Sequence, residues 1–172
     1  MLVGMIEIKS FKKNELFLEE GQICNSIAFI NKGLLVYYKV LDNAVEVTTD
    51  FAFENEWVTN NHSRLNHSPS YLNIKAIEDS ELLIVKHQDL VPLYNKIPKL
   101  ERFGRILMEQ AYVKLVQLSL DLQTLSAKDR YLKLLKSYPG IFQRVPLYHI
   151  ANYLGIAPKS LSRIRRTIFD GK

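Results

Sequence analysis

The sequence predicts an α+β chain. It reads as an N-terminal double-stranded β-helix (jelly roll) over residues 1–97, a long helix over 98–125 and a small helix-turn-helix domain over 126–172. Three observations predict this. Short segments rich in branched and aromatic residues recur at even spacing through the first half of the chain. A long helical periodicity follows Pro98. Near the C-terminus, small, glycine and aliphatic residues stand at the offsets that two steeply crossing helices require.

The expected strands are Glu15–Glu19, Ser26–Ile30, Leu34–Val40, Val45–Thr49, Tyr71–Ile77 and Glu81–Val85, several alternating at period two. Turn residues divide them: Glu20-Gly21, Asn31-Lys-Gly33, Asp42-Asn43 and Glu78-Asp79. Many short strands of this kind favour a sandwich or jelly roll. The polar run Asn60–Ser70 is expected to be loop or a short irregular helix.

Beyond Pro98, Leu100, Phe103, Leu107, Ala111, Leu115, Leu118, Leu122 and Leu125 form one apolar stripe. Ile106, Val113, Val116 and Leu120 form a second. A helix apolar on two sides needs two partners. The β-domain is expected to be one and the same helix of a second subunit the other, as a parallel coiled coil. The alternative is a helix buried within one subunit. Ser126-Ala-Lys-Asp129 resembles a capping box with Asp in place of Glu, so a new helix is expected there, stopping before Tyr138-Pro-Gly140.

The helix-turn-helix is read from Ile150 to Arg166. Ala151 is small enough for a close crossing, and Gly155 stands where the turn needs positive φ. Ile150, Leu154, Ile156, Leu161 and Ile164 supply the facing apolar surfaces. The remaining face carries Lys159, Ser160, Ser162, Arg163, Arg165 and Arg166, a surface suited to phosphate and to guanine edges. An amphipathic hairpin with a solvated basic face is the blander reading. Charge segregation favours the first: Ser126–Lys172 holds ten Lys/Arg against Asp129 and Asp170, a net +8, within a chain of net +5.

At 47% apolar residues the 172-residue chain can bury a real core, and no run is long enough to span a membrane. The apolar start Met1–Ile6 is too short for a secretory segment, and Cys24 is the single cysteine, so a disulfide-free cytoplasmic protein is expected.

Taken in order, these pieces resemble the Crp/Fnr family of bacterial transcription regulators. The resemblance rests on Glu20-Gly21 with Phe29-Ile-Asn-Lys-Gly33, which looks like the early turn and hairpin of a cyclic-nucleotide-binding β-roll; on the helix 98–125; and on Leu154–Arg166. It implies a homodimer that places its second helix in the major groove of double-stranded DNA. Lys159 and Arg163 then fall where base edges are read, and Ser160, Arg165 and Arg166 suit phosphate. Many members carry a Glu at the Lys159 position, so a different operator is expected. The residue before Pro158 is Ala157 rather than a capping Ser, Thr or Asp, a loss of about 1 kcal/mol. The chain ends soon after this helix, so no strand pair is expected to follow it, and the helical lead-in before the first strand is expected to be missing.

The resemblance also implies a nucleotide cassette with a Gly-Glu and an Arg-Ser/Thr pair. Aligned without gaps, these positions fall on Thr59 and Asn60 and on Ser70 and Tyr71, and none matches. Without its arginine, a phosphate loses a contact worth ~1.5–3 kcal/mol. Control by cyclic AMP in the usual way is therefore not expected. The pocket (Thr59, Asn60, Asn61, Ser70 and Tyr71, with His62 beside it) could serve an unidentified small-molecule effector or be a structural relic. No cofactor is otherwise implied. His62 and His67 fall short of a metal site. No catalytic arrangement is present, so an enzyme is not expected. The rival reading is a non-DNA-binding small-molecule sensor or interaction dimer whose C-terminal domain is degenerate.

Overall fold

The computed structural model describes residues 3–170; Met1 and Leu2 of the apolar start, and Gly171 and Lys172 of the basic tail, lie outside the described residues. The chain divides into two compact units, residues 1–102 and 103–172.

In the first unit, eight strands among the described residues form two four-stranded antiparallel sheets. One sheet has the order β1 (Ile6–Phe11), β8 (Ser80–Lys86), β3 (Ser26–Lys32), β6 (Trp57–Val58). The other has the order β2 (Leu16–Leu18), β7 (Asn73–Ala76), β4 (Leu35–Val40), β5 (Glu46–Ala52). Their inner faces share one core in which Ala28, Ile30, Leu35, Val58, Ile74, Ala76 and Leu82 are fully buried. Each buried aliphatic of Val, Leu or Ile size contributes about 1.5–3 kcal/mol relative to exposure.

The turn at Gly33 corrects one expectation. Phe29–Gly33 is not the start of a hairpin, because β3 and β4 lie in different sheets. The chain crosses between sheets at Gly33, whose φ is +102° and whose added Cβ would stand 2.1 Å from Ser80 Oγ. Only glycine fits that corner. The true hairpin is β4–β5, closed by Leu41 N–H donating to the Val45 carbonyl at 2.9 Å, with Ala44 at φ +62°.

Two strands and one α-helix of this unit were not expected. β1 is exposed except at Phe11, so it lacks an alternating buried face; it is held by its ladder with β8. β6 is two residues long. α2 (His87–Lys96) lacks a capping side chain and carries Pro92, so its start reads poorly. Burial of Leu90 and Leu93 on Val85, with Ile27, Tyr94 and Leu100 around them, is the packing that supports it. The polar run near residue 60 does form a short helix, α1 (Asn61–Asn66).

The second unit is helical. It holds α3 (Pro98–Thr124) from Phe103 onward, then α4 (Ala127–Ser137), α5 (Ile141–Arg144), α6 (Leu147–Tyr153) and α7 (Pro158–Asp170). Ser126 caps α4: its Oγ accepts from Asp129 N–H at 3.2 Å and donates to Asp129 Oδ2 at 2.5 Å. Tyr131, Leu134, Ile141, Val145, Ile150, Ala151, Leu154 and Leu161 are buried. Arg130 supports two helix ends, its Nε donating to the Leu154 carbonyl at 3.0 Å and its guanidinium NH1 to the Leu125 carbonyl at 2.7 Å. Asp121, buried on α3, accepts from Gln117 Nε2 at 2.8 Å and from Lys133 Nζ. Those donors hold its carboxyl below the usual carboxylate range. Among the described residues no helix is long and apolar enough to cross a membrane.

Candidate functional site

The connection between α6 and α7 has the geometry its residues dictate. Gly155 has φ +66°, donates to the Asn152 carbonyl at 2.9 Å, and would put a Cβ 3.4 Å from Leu122 Cδ2. Ala151 and Leu161 are fully buried where the two helices meet, with Ile156 and Ile164 half-buried beside them. The Ala157 carbonyl accepts from Ser160 and Leu161 N–H, so the first turn of α7 closes through backbone bonds.

This packing leaves Lys159, Ser162, Arg163 and Arg166 exposed on α7. Ser162 Oγ donates back to the Pro158 carbonyl at 3.1 Å. Ser160 and Arg163 line a cleft of about 280 Å³ together with Lys128, Ile164 and Thr167. Arg165 stands apart from this group, half-buried with its guanidinium 5.1 Å from the Phe142 ring. The face can therefore offer three long cations and, at its edge, a fourth from the first turn of α4.

On α3, Tyr112, Val113 and Leu115 are 69%, 65% and 63% exposed, and Phe103, Ile106, Val116 and Leu120 are also exposed. Residues of both expected stripes are thus exposed on the single chain.

In the first unit, Thr59, Asn60, Ser70 and Tyr71 come together around α1, but their polar groups are satisfied from within. Asn60 is buried as the N-cap of α1, its Oδ1 accepting from Ser63 N–H at 3.1 Å. Its Nδ2 donates to Ser70 Oγ at 2.8 Å, and Ser70 Oγ donates to the Leu72 carbonyl at 2.7 Å. Thr59 Oγ1 donates to the Ser26 carbonyl at 3.0 Å, and Asn61 Oδ1 accepts from Arg64 at 2.8 Å. Tyr71 is exposed, its ring 5.3 Å from that of His62.

A residue not singled out from the sequence completes this network. Tyr37 of β4 packs against the roll's core, and its hydroxyl accepts from Thr59 N–H at 3.3 Å. Burial first, and Asp50 second, push this phenol well above its ordinary range, so it stays neutral.

The cyclic nucleotide-binding domain family matches residues 8–96, more than half of the chain. The chain belongs to the cyclic nucleotide-binding domain family. Its fold is that of the Crp/Fnr regulators. FixK2 from Bradyrhizobium japonicum is similar, with TM-score 0.81 and 18% identity over 96% of this chain and 86% of that one. A transcriptional regulator of the Crp/Fnr family from Eubacterium rectale has TM-score 0.75 and 18% identity, over 98% of this chain and 81% of that one. The c-di-GMP-responsive regulator CLP from Xanthomonas campestris has TM-score 0.73 and 14% identity, over 99% of this chain and 90% of that one. No curated protein matches the sequence.

Within this cyclic nucleotide-binding domain, the Tyr37 contact was hidden by a register shift between Tyr37 and Tyr38. Strict alternation cannot place two adjacent tyrosines across a bulge, and Tyr38 is buried as well. Lys128 was equally hidden, because nothing local in α4 links it to Arg163.

Proposed function

We propose that this chain is a DNA-binding transcription regulator of the Crp/Fnr type that acts as a homodimer on a palindromic site and is not controlled by cyclic AMP in the usual way. The observation that carries the reading is the α7 surface. Its packed side is apolar, and its free side exposes Lys159, Arg163 and Arg166 beside the Ser160–Lys128 cleft. A helix held this way can lie in a major groove with its cations on base edges and phosphates. Arg163 is the best placed for guanine, a bidentate contact worth about 1–3 kcal/mol of discrimination. The apolar length of α3 supports a second copy as its partner, since exposed surfaces of this extent mark interaction sites. In a two-fold dimer the half-sites would lie about 34–36 Å apart.

The Asn60–Ser70 bridge and the Tyr37 contact support the cyclic AMP part of the reading. A nucleotide would have to displace bonds the protein already makes, and no arginine at position 70 or 71 would repay it. The experiment is selection from random duplex DNA at moderate salt, with and without cyclic AMP. A palindromic motif enriched equally in both arms supports the reading. Enrichment that requires cyclic AMP overturns its second half.

A further inference from the structure

We propose that a cleft beside β1 and β8 is a second binding site of the roll, one that takes a monoanionic organic acid with a ring or short apolar chain, an aryl carboxylate being the type. The cleft has a volume of about 580 Å³, within the range of small-molecule sites. Tyr37, Thr59, Asn60 and Ser70 do not line it, so it is separate from the filled cassette.

Its lining joins an apolar floor to unpaired cations. Phe11 and Phe17 meet edge to face at 6.1 Å, and Ile84 adjoins them in the cleft. Lys9 holds its ammonium 4.7 Å from the Phe11 ring centre. Among the described residues, neither Lys9 nor Lys86 forms a salt bridge, although both line the cleft. His87 supplies a third donor. Its Nδ1 lies 3.0 Å from Arg64 NH1, and a guanidinium can only donate, so Nδ1 must accept. The ring proton then sits on Nε2. Burial, Arg64 and His67 all favour this neutral ring.

Glu7 sets the charge of the guest. It is the acid that lines the cleft, against two lysines, so one negative charge is matched and a second is opposed. A carboxylate fits that balance better than a phosphate dianion does, and the phenylalanine floor favours a ring over a bare ion.

The test is NMR titration of the full chain with benzoate, with benzyl alcohol and inorganic phosphate as separate probes. The expected result is saturable shifts at the Ile84 methyl groups and at amides 7–11 and 84–88. Benzyl alcohol and phosphate should each bind roughly tenfold or more weakly, the loss of one charge-assisted contact or of the apolar one. Lys86→Gln and Lys9→Gln, each checked for an unchanged spectrum, should each weaken benzoate roughly tenfold. The proposal is overturned if benzoate gives no saturable shift up to about 10 mM, the weak end for a fragment of this size. It is also overturned if the shifts fall on Thr59, Asn60, Ser70 and Tyr71 instead of the cleft, if either control probe binds as tightly, or if both variants bind benzoate unchanged.

Discussion

Asn60 and Ser70 hydrogen-bond to each other, Nδ2 to Oγ at 2.8 Å, across the loop that carries α1. Both are buried, and each also bonds to backbone, so the pair links the N-terminus of α1 to the segment leading into β7. The bridge makes the loop self-sufficient. Asn60→Ala removes a helix cap and leaves Ser70 short of a donor. The expected cost is about 1–3 kcal/mol, read as a lower denaturation midpoint with unchanged slope.

Tyr37→Phe removes the acceptor of Thr59 N–H while keeping the ring. The expected destabilisation is about 1–2 kcal/mol, with no gain in cyclic AMP affinity, because the cassette still lacks an arginine. Thermal melts with and without cyclic AMP check both halves.

Gly33→Ala should be among the most damaging single substitutions in the roll. It combines positive φ with a Cβ 2.1 Å from Ser80 Oγ. Gly155→Ala carries φ +66° but meets Leu122 at an ordinary contact distance, so its cost should be about 1 kcal/mol and clearly smaller. Equilibrium unfolding of the two variants ranks them.

Much of this was legible from residue order alone. The even spacing of branched residues marked six of the eight strands, and Ser126 and Pro98 marked helix starts that α4 and α3 keep. Gly155 was legible because one residue type suits its turn. What failed to read had physical reasons. The β1 sequence Ile-Glu-Ile-Lys-Ser-Phe alternates, but its isoleucines face solvent. Pro92 masks α2, whose Leu90 and Leu93 are buried in a cluster that draws on the distant Met5 and Ile27. Gly33 looked like a hairpin turn because sequence does not say which sheet the next strand joins. The candidate sites were legible as residues and not as partners. Arg165 looked equivalent to Arg166 as a phosphate contact until the Phe142 ring was seen against it, and Asn60 gave no sign of its bond to Ser70.

Asp121 gives the helical unit an acid-sensitive contact. Its carboxyl is held down by Lys133 and Gln117, so its folded pKa lies below the unfolded value of about 3.9. The stability it supplies is complete above that unfolded value and is lost as pH falls through the folded one. Asp121→Asn should therefore lower stability at pH 7 and flatten its decline below about pH 4. Chemical denaturation of both proteins across the acid range measures this.

The central claim is that α7 reads DNA through its exposed cations. The most direct measurement is binding of the selected duplex by the wild type and by Arg163→Ala across a salt series. Wild-type affinity should fall linearly on a log–log plot with salt. Arg163→Ala, folded as judged by its circular dichroism, should lose about 1–3 kcal/mol of sequence discrimination. A wild-type protein that enriches no sequence, or an Arg163→Ala variant with unchanged affinity and unchanged sequence preference, would contradict it.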